Sequence, residues 1–218
     1  MVPTRLLIVG KQGSGKGTQC VMLSRYFAAP HISTGEMLRV AVKSQSPLGA
    51  KVKEIMERGD LIPDDVITEV VASRIGEDDC IERGWILDGF PRTLPQAMAL
   101  DEMLGPAGIE HVVELEVSTE QTIRRMTTRR VCASCGAIYS THKPPQVNWS
   151  CDVCGGEVRQ RDDDKEEAIR KRLVLYDTET LPVLGWYEKQ GLLIRVNGMG
   201  SPDAVFRRTL KALGSEPA

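Results

Sequence analysis

No apolar run in this chain is long enough to span a bilayer, and the one nearest the N-terminus, Leu6-Leu7-Ile8-Val9, is too short for a secretory signal. These absences argue against a membrane helix and lead to the expectation of a cytoplasmic location. An excess of charge of one sign is missing too. The chain carries 28 basic against 30 acidic side chains, a formal charge of -2, so it has no global field for nucleic acid or an anionic membrane. It contains no internal repeat and no low-complexity stretch, and no histidine, serine or cysteine stands out as a catalytic nucleophile or base.

At 218 residues the chain can bury one good core and carry a small inserted module. The stretch that organises it is Gly10-Lys11-Gln12-Gly13-Ser14-Gly15-Lys16-Gly17-Thr18, which follows the apolar run and opens a helical pattern through Cys20, Val21, Met22 and Leu23. Glycines in this position let backbone N–H groups turn inward around a phosphate. The helix N-terminus adds its positive end, and Lys16 reaches the outer phosphates. Gly17 stands where the phosphate-loop pattern usually has Ser or Thr, with the hydroxyl one residue later at Thr18.

Short apolar runs recur at His31-Ile32, Gly84–Asp88, His111–Val117 and Leu192–Val196, with helical segments between them. Together with Leu6–Val9 they predict an α/β fold: a five-stranded, mainly parallel sheet flanked by helices. Ser33 or Thr34 is expected to cap one helix and Ser118 or Thr119 another. The latter is expected to run on to Arg129-Arg130, which places Arg125 and Arg129 on one helical face. So much helix between the second run and Gly84 predicts a helical excursion from the sheet. Asp88, at the C-terminal end of a buried strand, is expected near the loop, where it would hold the water shell of a magnesium ion. Gly89 follows it, where a hydrolytic enzyme often has a carboxylate that activates water, and this favours transfer over hydrolysis.

Residues 131–158 break the pattern. Cys132-x-x-Cys135 and Cys151-x-x-Cys154 are fifteen residues apart, and Gly136 and Gly155 follow the second cysteine of each pair. This is the spacing of a four-cysteine structural zinc site, filled by sulfur and so closed to catalysis. Cys20 and Cys80 lie outside the pairs and are expected to be small buried residues. Basic residues gather at the ends of the insert: Arg124, Arg125, Arg129 and Arg130 before it, Arg159 and Arg161 after it, and Arg170, Lys171 and Arg172 beyond. Planar guanidinium forks suit several phosphate oxygens at a hinge, whereas Arg124, Arg170 and Lys171 also fit a solvated helix face.

Taken together, the phosphate loop, Ile32-Ser33-Thr34-Gly35-Glu36-Met37-Leu38-Arg39, Asp88-Gly89-Phe90-Pro91-Arg92-Thr93, the cysteine quartet, Arg161-Asp162-Asp163-Asp164 and Arg170-Lys171-Arg172-Leu173 resemble the adenylate kinase family in its long-lid, zinc-containing form. The resemblance covers nearly the whole chain, in order. It implies reversible phosphoryl transfer from Mg-ATP to AMP giving two ADP, which maintains adenine nucleotide balance. It implies a core domain (1–32, 63–127 and 165–218), a helical AMP-binding flap (33–62) and a zinc-binding lid (128–164), in a monomer. ATP would meet Gly13, Ser14, Gly15, Lys16, Gly17, Thr18, Arg129, the Ile138-Tyr139 backbone and Gly200. AMP would meet Thr34, Arg39, Asp60, Leu61, Ile62, Gly89, Phe90, Pro91, Arg92 and Gln96, with Arg161 and Arg172 bridging to the transferred group. Lys16, Arg92, Arg129, Arg161 and Arg172 would carry the catalysis. Gln12 in place of the customary proline and Glu36 in place of aspartate depart from the family pattern. Gly200 can offer only its backbone to adenine.

Two alternatives stay open at this stage. A kinase of UMP, CMP or GMP would share the fold, and base choice rests on a few contacts. A nucleotide-switched zinc ribbon binding RNA or DNA would need a more basic insert than Lys143 and Arg159 provide, with Trp149 its one stacking candidate.

Overall fold

The computed structural model describes residues 4–215. Its centre is strand β1 (Thr4–Val9). Side chains alternate across a strand, so Leu7 and Val9 enter one core while Leu6 and Ile8 enter another on the opposite face. A strand covered on both sides belongs inside a parallel sheet. Four others join it: β2 (His31–Ser33), β3 (Gly84–Asp88), β4 (His111–Glu116) and a C-terminal strand, in the order β2-β3-β1-β4 and then Leu193–Asn197. All four pairings are parallel. Every C-terminal strand end therefore lies along one edge. The order reverses beside β1, which is where an open α/β sheet has its crevice.

Helix α1 (Lys16–Phe27) follows the loop after β1 and covers one face through Cys20 and Leu23. The excursion between β2 and β3 consists of α2 (Thr34–Lys43), α3 (Pro47–Glu57), α4 (Asp64–Ile75) and α5 (Asp78–Arg83). Helices α6 (Leu94–Leu104) and α7 (Thr119–Thr128) flank β4 in sequence. A small antiparallel sheet then stands apart from the main one, with β5 (Arg129–Cys132) between β6 (Ile138–Ser140) and β7 (Val158–Arg159). The chain returns through α8 (Glu166–Leu175), a π-helical turn (Tyr176–Thr180) and α9 (Leu181–Lys189). The last strand, β8 (Leu193–Asn197), and α10 (Pro202–Ala212) complete the fold.

Two local expectations are corrected. Ser33 occupies the N-cap position of α2 but makes no side-chain cap bond, and the Thr34 hydroxyl donates instead to the Asp88 carbonyl at 3.3 Å. The helix expected to reach Arg130 stops at Thr128. Arg129 is extended (φ -63°, ψ 139°) because β5 is claimed by pairing with β6 and β7, so Arg125 and Arg129 do not share a helical face. At the other end of α7 the Ser118 hydroxyl does cap, accepting from Gln121 N.

Helices α2 and α3 approach so closely at Gly49 that a β-carbon there would overlap the Ala41 carbonyl and lie 2.7 Å from Val42 Cα. These are backbone atoms and cannot rotate away. We expect Gly49→Val to force the two helices apart at a cost of about 2–3 kcal/mol, lowering the melting temperature by roughly 5–10 °C. Calorimetry finding the variant within 2 °C of the parent, an arbitrary threshold of about 0.5 kcal/mol, would show that the helices can slide at little cost.

Candidate active site

The loop leaving β1 turns through Gly10, Gly13 and Gly15 at φ +148°, +83° and +103°. Gly15 is the N-cap of α1, and no side chain caps that helix, so its first N–H groups face the crevice. Lys16 Nζ donates to the loop's own carbonyls, Gly10 O at 2.8 Å and Lys11 O at 3.1 Å. Burial draws its pKa down, and nearby Asp88 opposes that shift. Arg125, which also lines the cleft, braces the loop, donating to the carbonyls of Gly13, Ser14 and Gly198 at 3.1–3.3 Å. Sequence reasoning put Arg125 among the phosphate-gripping arginines and missed this bracing role. Nothing in its spacing signals it, because the partners are 73 to 112 residues away.

Asp88 ends β3 beside the loop. Burial works against its ionisation, but His31 and then Lys16 outweigh burial and hold the carboxyl below the usual carboxylate range. Its Oδ2 lies 3.7 Å from where a side chain on Gly17 would begin, so glycine leaves the carboxylate open to the crevice.

Arg39, Arg92, Arg129, Arg161 and Arg172 converge on the same cleft from α2, the β3–α6 turn, β5, the segment after β7 and α8. Burial lowers the Arg92 pKa, and the charges of Arg172 and Arg39 lower it further. Arg161 is drawn down to about 10 by burial and by Arg39 and Arg129. Guanidinium groups that depress one another in this way create a positive potential that an anion would relieve. Carboxylates hold some of them in place: Arg172 donates to Asp163 at 2.8 Å, Arg129 to Asp164 at 2.7 Å and Arg39 to Glu36 at 2.9 Å. Arg92 donates to the Gly89 carbonyl at 2.8 Å, and its own carbonyl accepts from Thr180 in the π-helical turn at 3.0 Å.

The cleft encloses about 1760 Å3, room for more than one ligand of nucleotide size. Gly13, Ser14, Gly15, Lys16, Gly17, Thr18, Ile138, Tyr139 and Gly200 line it, as do Leu61, Gly89, Phe90 and Pro91. Thr34, Asp60, Ile62 and Gln96 do not. Asp60 pairs with Arg58 and Lys171, and Ile62 is in the core. Gln96 is 2% exposed, with its amide oxygen on Arg92 N at 2.7 Å and its amide nitrogen on Asp64 at 2.6 Å, so both ends are engaged within the protein. From the basic cluster, Arg130, Arg159, Arg170 and Lys171 also lie outside the lining. Arg170 forms an ordinary helical pair with Glu166. His142 and Gln121 do line the cleft, and no local pattern marked them.

The four cysteines meet at one point. Cys132 and Cys154 Sγ lie 3.5 Å apart, as do those of Cys135 and Cys151. A tetrahedral zinc with sulfur at about 2.3 Å separates its ligands by about 3.8 Å, so the set fits the ion. Backbone N–H groups of Ser134 and Cys135 point at Cys132 Sγ and that of Val153 at Cys151 Sγ, the donors a thiolate needs. Tyr139 Oη lies 3.4 Å from Cys151 Sγ and accepts from Asp152 N at 2.8 Å, joining the cysteine cluster to a strand that lines the cleft. Lys43 Nζ of α2 donates to the Ala133 carbonyl at 3.2 Å, so this module touches the helical excursion across the cleft.

Comparison with known proteins gives the same picture from a separate direction. The family model for adenylate kinase matches residues 8–192. An adenylate kinase of Caldicellulosiruptor bescii is 46% identical over 215 residues, covering 97% of this chain and all of the relative. Those of Carboxydothermus hydrogenoformans and Geobacter sulfurreducens are each 47% identical, over 96% of this chain and 99% and 98% of theirs. With the match running through the loop, the excursion, the arginine cleft and the cysteine module, the chain belongs to the adenylate kinase family, enzymes that transfer a phosphoryl group between ATP and AMP.

Proposed function

We propose that the cleft holds ATP and AMP end to end, and that the chain moves the terminal phosphoryl between them without a protein base. The observation that carries this reading is the convergence of eight arginines, Arg39, Arg92, Arg129, Arg161 and Arg172 among them, and Lys16 on one cleft with room for both nucleotides. AMP has a second phosphate pKa near ~6, so it is mostly dianionic at neutral pH and is already a nucleophile. The chain's task is then alignment and dispersal of charge.

In this reading Gly13, Ser14, Gly15, Gly17 and Thr18 bind the ATP phosphates through backbone and hydroxyl. Lys16 leaves its loop carbonyls to neutralise the outer phosphates. The adenine of ATP lies near the Gly200 backbone, and Arg129 with the Ile138-Tyr139 backbone closes over the triphosphate. Arg39, Leu61 and the turn Gly89-Phe90-Pro91-Arg92 receive AMP. Thr34, Asp60, Ile62 and Gln96 support that wall from behind, Gln96 by fixing the Arg92 backbone. Arg92, Arg161 and Arg172 gather the equatorial oxygens of the phosphoryl in flight. Magnesium, when it accompanies ATP, draws charge from the phosphates, and Asp88 holds it through water. Zinc belongs to Cys132, Cys135, Cys151 and Cys154 and orders the lid, which is too small to form a core of its own.

Residues 33–62 and 128–164 act as flap and lid on a core of 1–32, 63–127 and 165–218. Closing both expels water, which would otherwise accept the phosphoryl and waste ATP. The protein works as a cytoplasmic monomer on free nucleotides, without nucleic acid or membrane partners. The test is ADP formation from Mg-ATP with AMP, UMP, CMP and GMP offered separately, beside a control without acceptor. AMP alone is expected to support rapid turnover. Equal rates with another monophosphate would overturn the assignment of the acceptor site.

A further inference from the structure

We infer that Cys20, His31 and Asp88 form a second metal site, for a thiophilic divalent cation of the zinc class, and that filling it blocks phosphoryl transfer. The three come from α1, β2 and β3. Their ligand atoms all lie within 4.8 Å of one another. Sulfur, imidazole and carboxylate together suit a borderline-soft ion far better than magnesium.

The imidazole faces Asp88 without bonding to it. His31 Nε2 is buried with no hydrogen-bond partner, and it lies 3.9 Å from Asp88 Oδ2, too far for a hydrogen bond. A tetrahedral ion with nitrogen and oxygen at about 2.0–2.1 Å would hold that pair near 3.3 Å, so a small inward shift brings those two ligands to a binding distance. Cys20 completes the set from inside the core, where nothing in phosphoryl transfer calls for a thiol. On coordination its proton leaves to solvent and the thiolate takes its place. His31, Asp88 and Gly17 all line the cleft, which provides an entry path.

The inhibitory half of the inference rests on the reading of Asp88 as the residue that holds magnesium's water shell. A cation bound directly to that carboxylate takes it out of use and sets a fixed positive charge beside Lys16.

The test uses protein whose lid is filled with one equivalent of zinc, titrated with micromolar cobalt(II) as the probe. A chelating dye reports any zinc release. A second equivalent is expected to bind with a sulfur-to-cobalt charge-transfer absorption and no zinc release, and to lower ATP–AMP turnover at least tenfold. Cys20→Ala should abolish the absorption, and His31→Gln should weaken binding at least tenfold. Both variants should resist inhibition to the same degree. Because His31 is only half-buried, its variant keeps the test decisive if Cys20→Ala disturbs the core. Absence of the absorption, or its persistence in Cys20→Ala, would overturn the site. Binding without inhibition would leave the site standing and overturn the role of Asp88 toward magnesium.

Discussion

Arg92→Ala is expected to lower kcat by about a thousandfold, the scale on which a guanidinium stabilises a phosphoryl in transit. The fold should survive the change. Arg92 stands among Arg39 and Arg172, which already depress its pKa, so deleting it relieves repulsion within the cluster. Its hydrogen bond to the Gly89 carbonyl is local to the turn, and Gln96 still holds the backbone at Arg92 N. Arg92→Lys should recover only part of the rate, because an ammonium keeps the charge and loses the planar fork. Steady-state kinetics beside a thermal melt would decide it. A kcat within tenfold of the parent, with an unchanged melt, would remove Arg92 from the reacting centre.

Removal of zinc should have the largest effect on stability. Residues 131–158 contribute only Cys132, Cys151 and Val158 to a buried cluster, with Ala137 and Tyr139 against it, and two of those three belong to the proposed zinc site. Without the ion the four sulfurs have no reason to converge, and apolar burial on that scale does not offset the entropy of ordering the loop. We expect the lid to unfold and, if it is coupled to the core by about 3 kcal/mol, the melting temperature to fall by roughly 6–12 °C. The KM for ATP should rise, since Arg129 lies in β5 and its partner Asp164 just beyond the lid sheet. Metal analysis after chelation, followed by calorimetry, is the check. An unchanged melting curve in protein verified as zinc-free would contradict a structural role.

Features decided within a few neighbouring residues were legible without the fold. The phosphate loop is one, because glycines at fixed offsets after a buried strand leave few other uses for the backbone. The cysteine quartet is another, because each Cys-x-x-Cys makes a turn that directs two sulfurs to one side whatever lies beyond it. The five parallel strands were legible as apolar runs. Where neighbours did not decide, the reading slipped. Arg129 looked helical because it continues the pattern of α7, yet pairing with β6 and β7 claims it for a strand. Nor did spacing show that Asp64, thirty-two residues earlier, and Arg92 N take both ends of the Gln96 amide.

The sequence by itself determined the chemistry of the parts: a glycine-rich turn with its lysine, a four-cysteine module, a cluster of arginines and strands built for burial. Tertiary structure alone decided which of those parts face one another. Arg124, Arg125, Arg129, Arg161 and Arg172 of the basic cluster line the cleft while Arg130, Arg159 and Arg170 do not. Arg125 braces the loop, and Cys20, His31 and Asp88 meet one another. The reason is that parallel strands need long crossovers. Neighbours in the sheet are therefore distant in sequence, as Ser33 is from Asp88, and the contacts between them carry no signature in the spacing of residues along the chain.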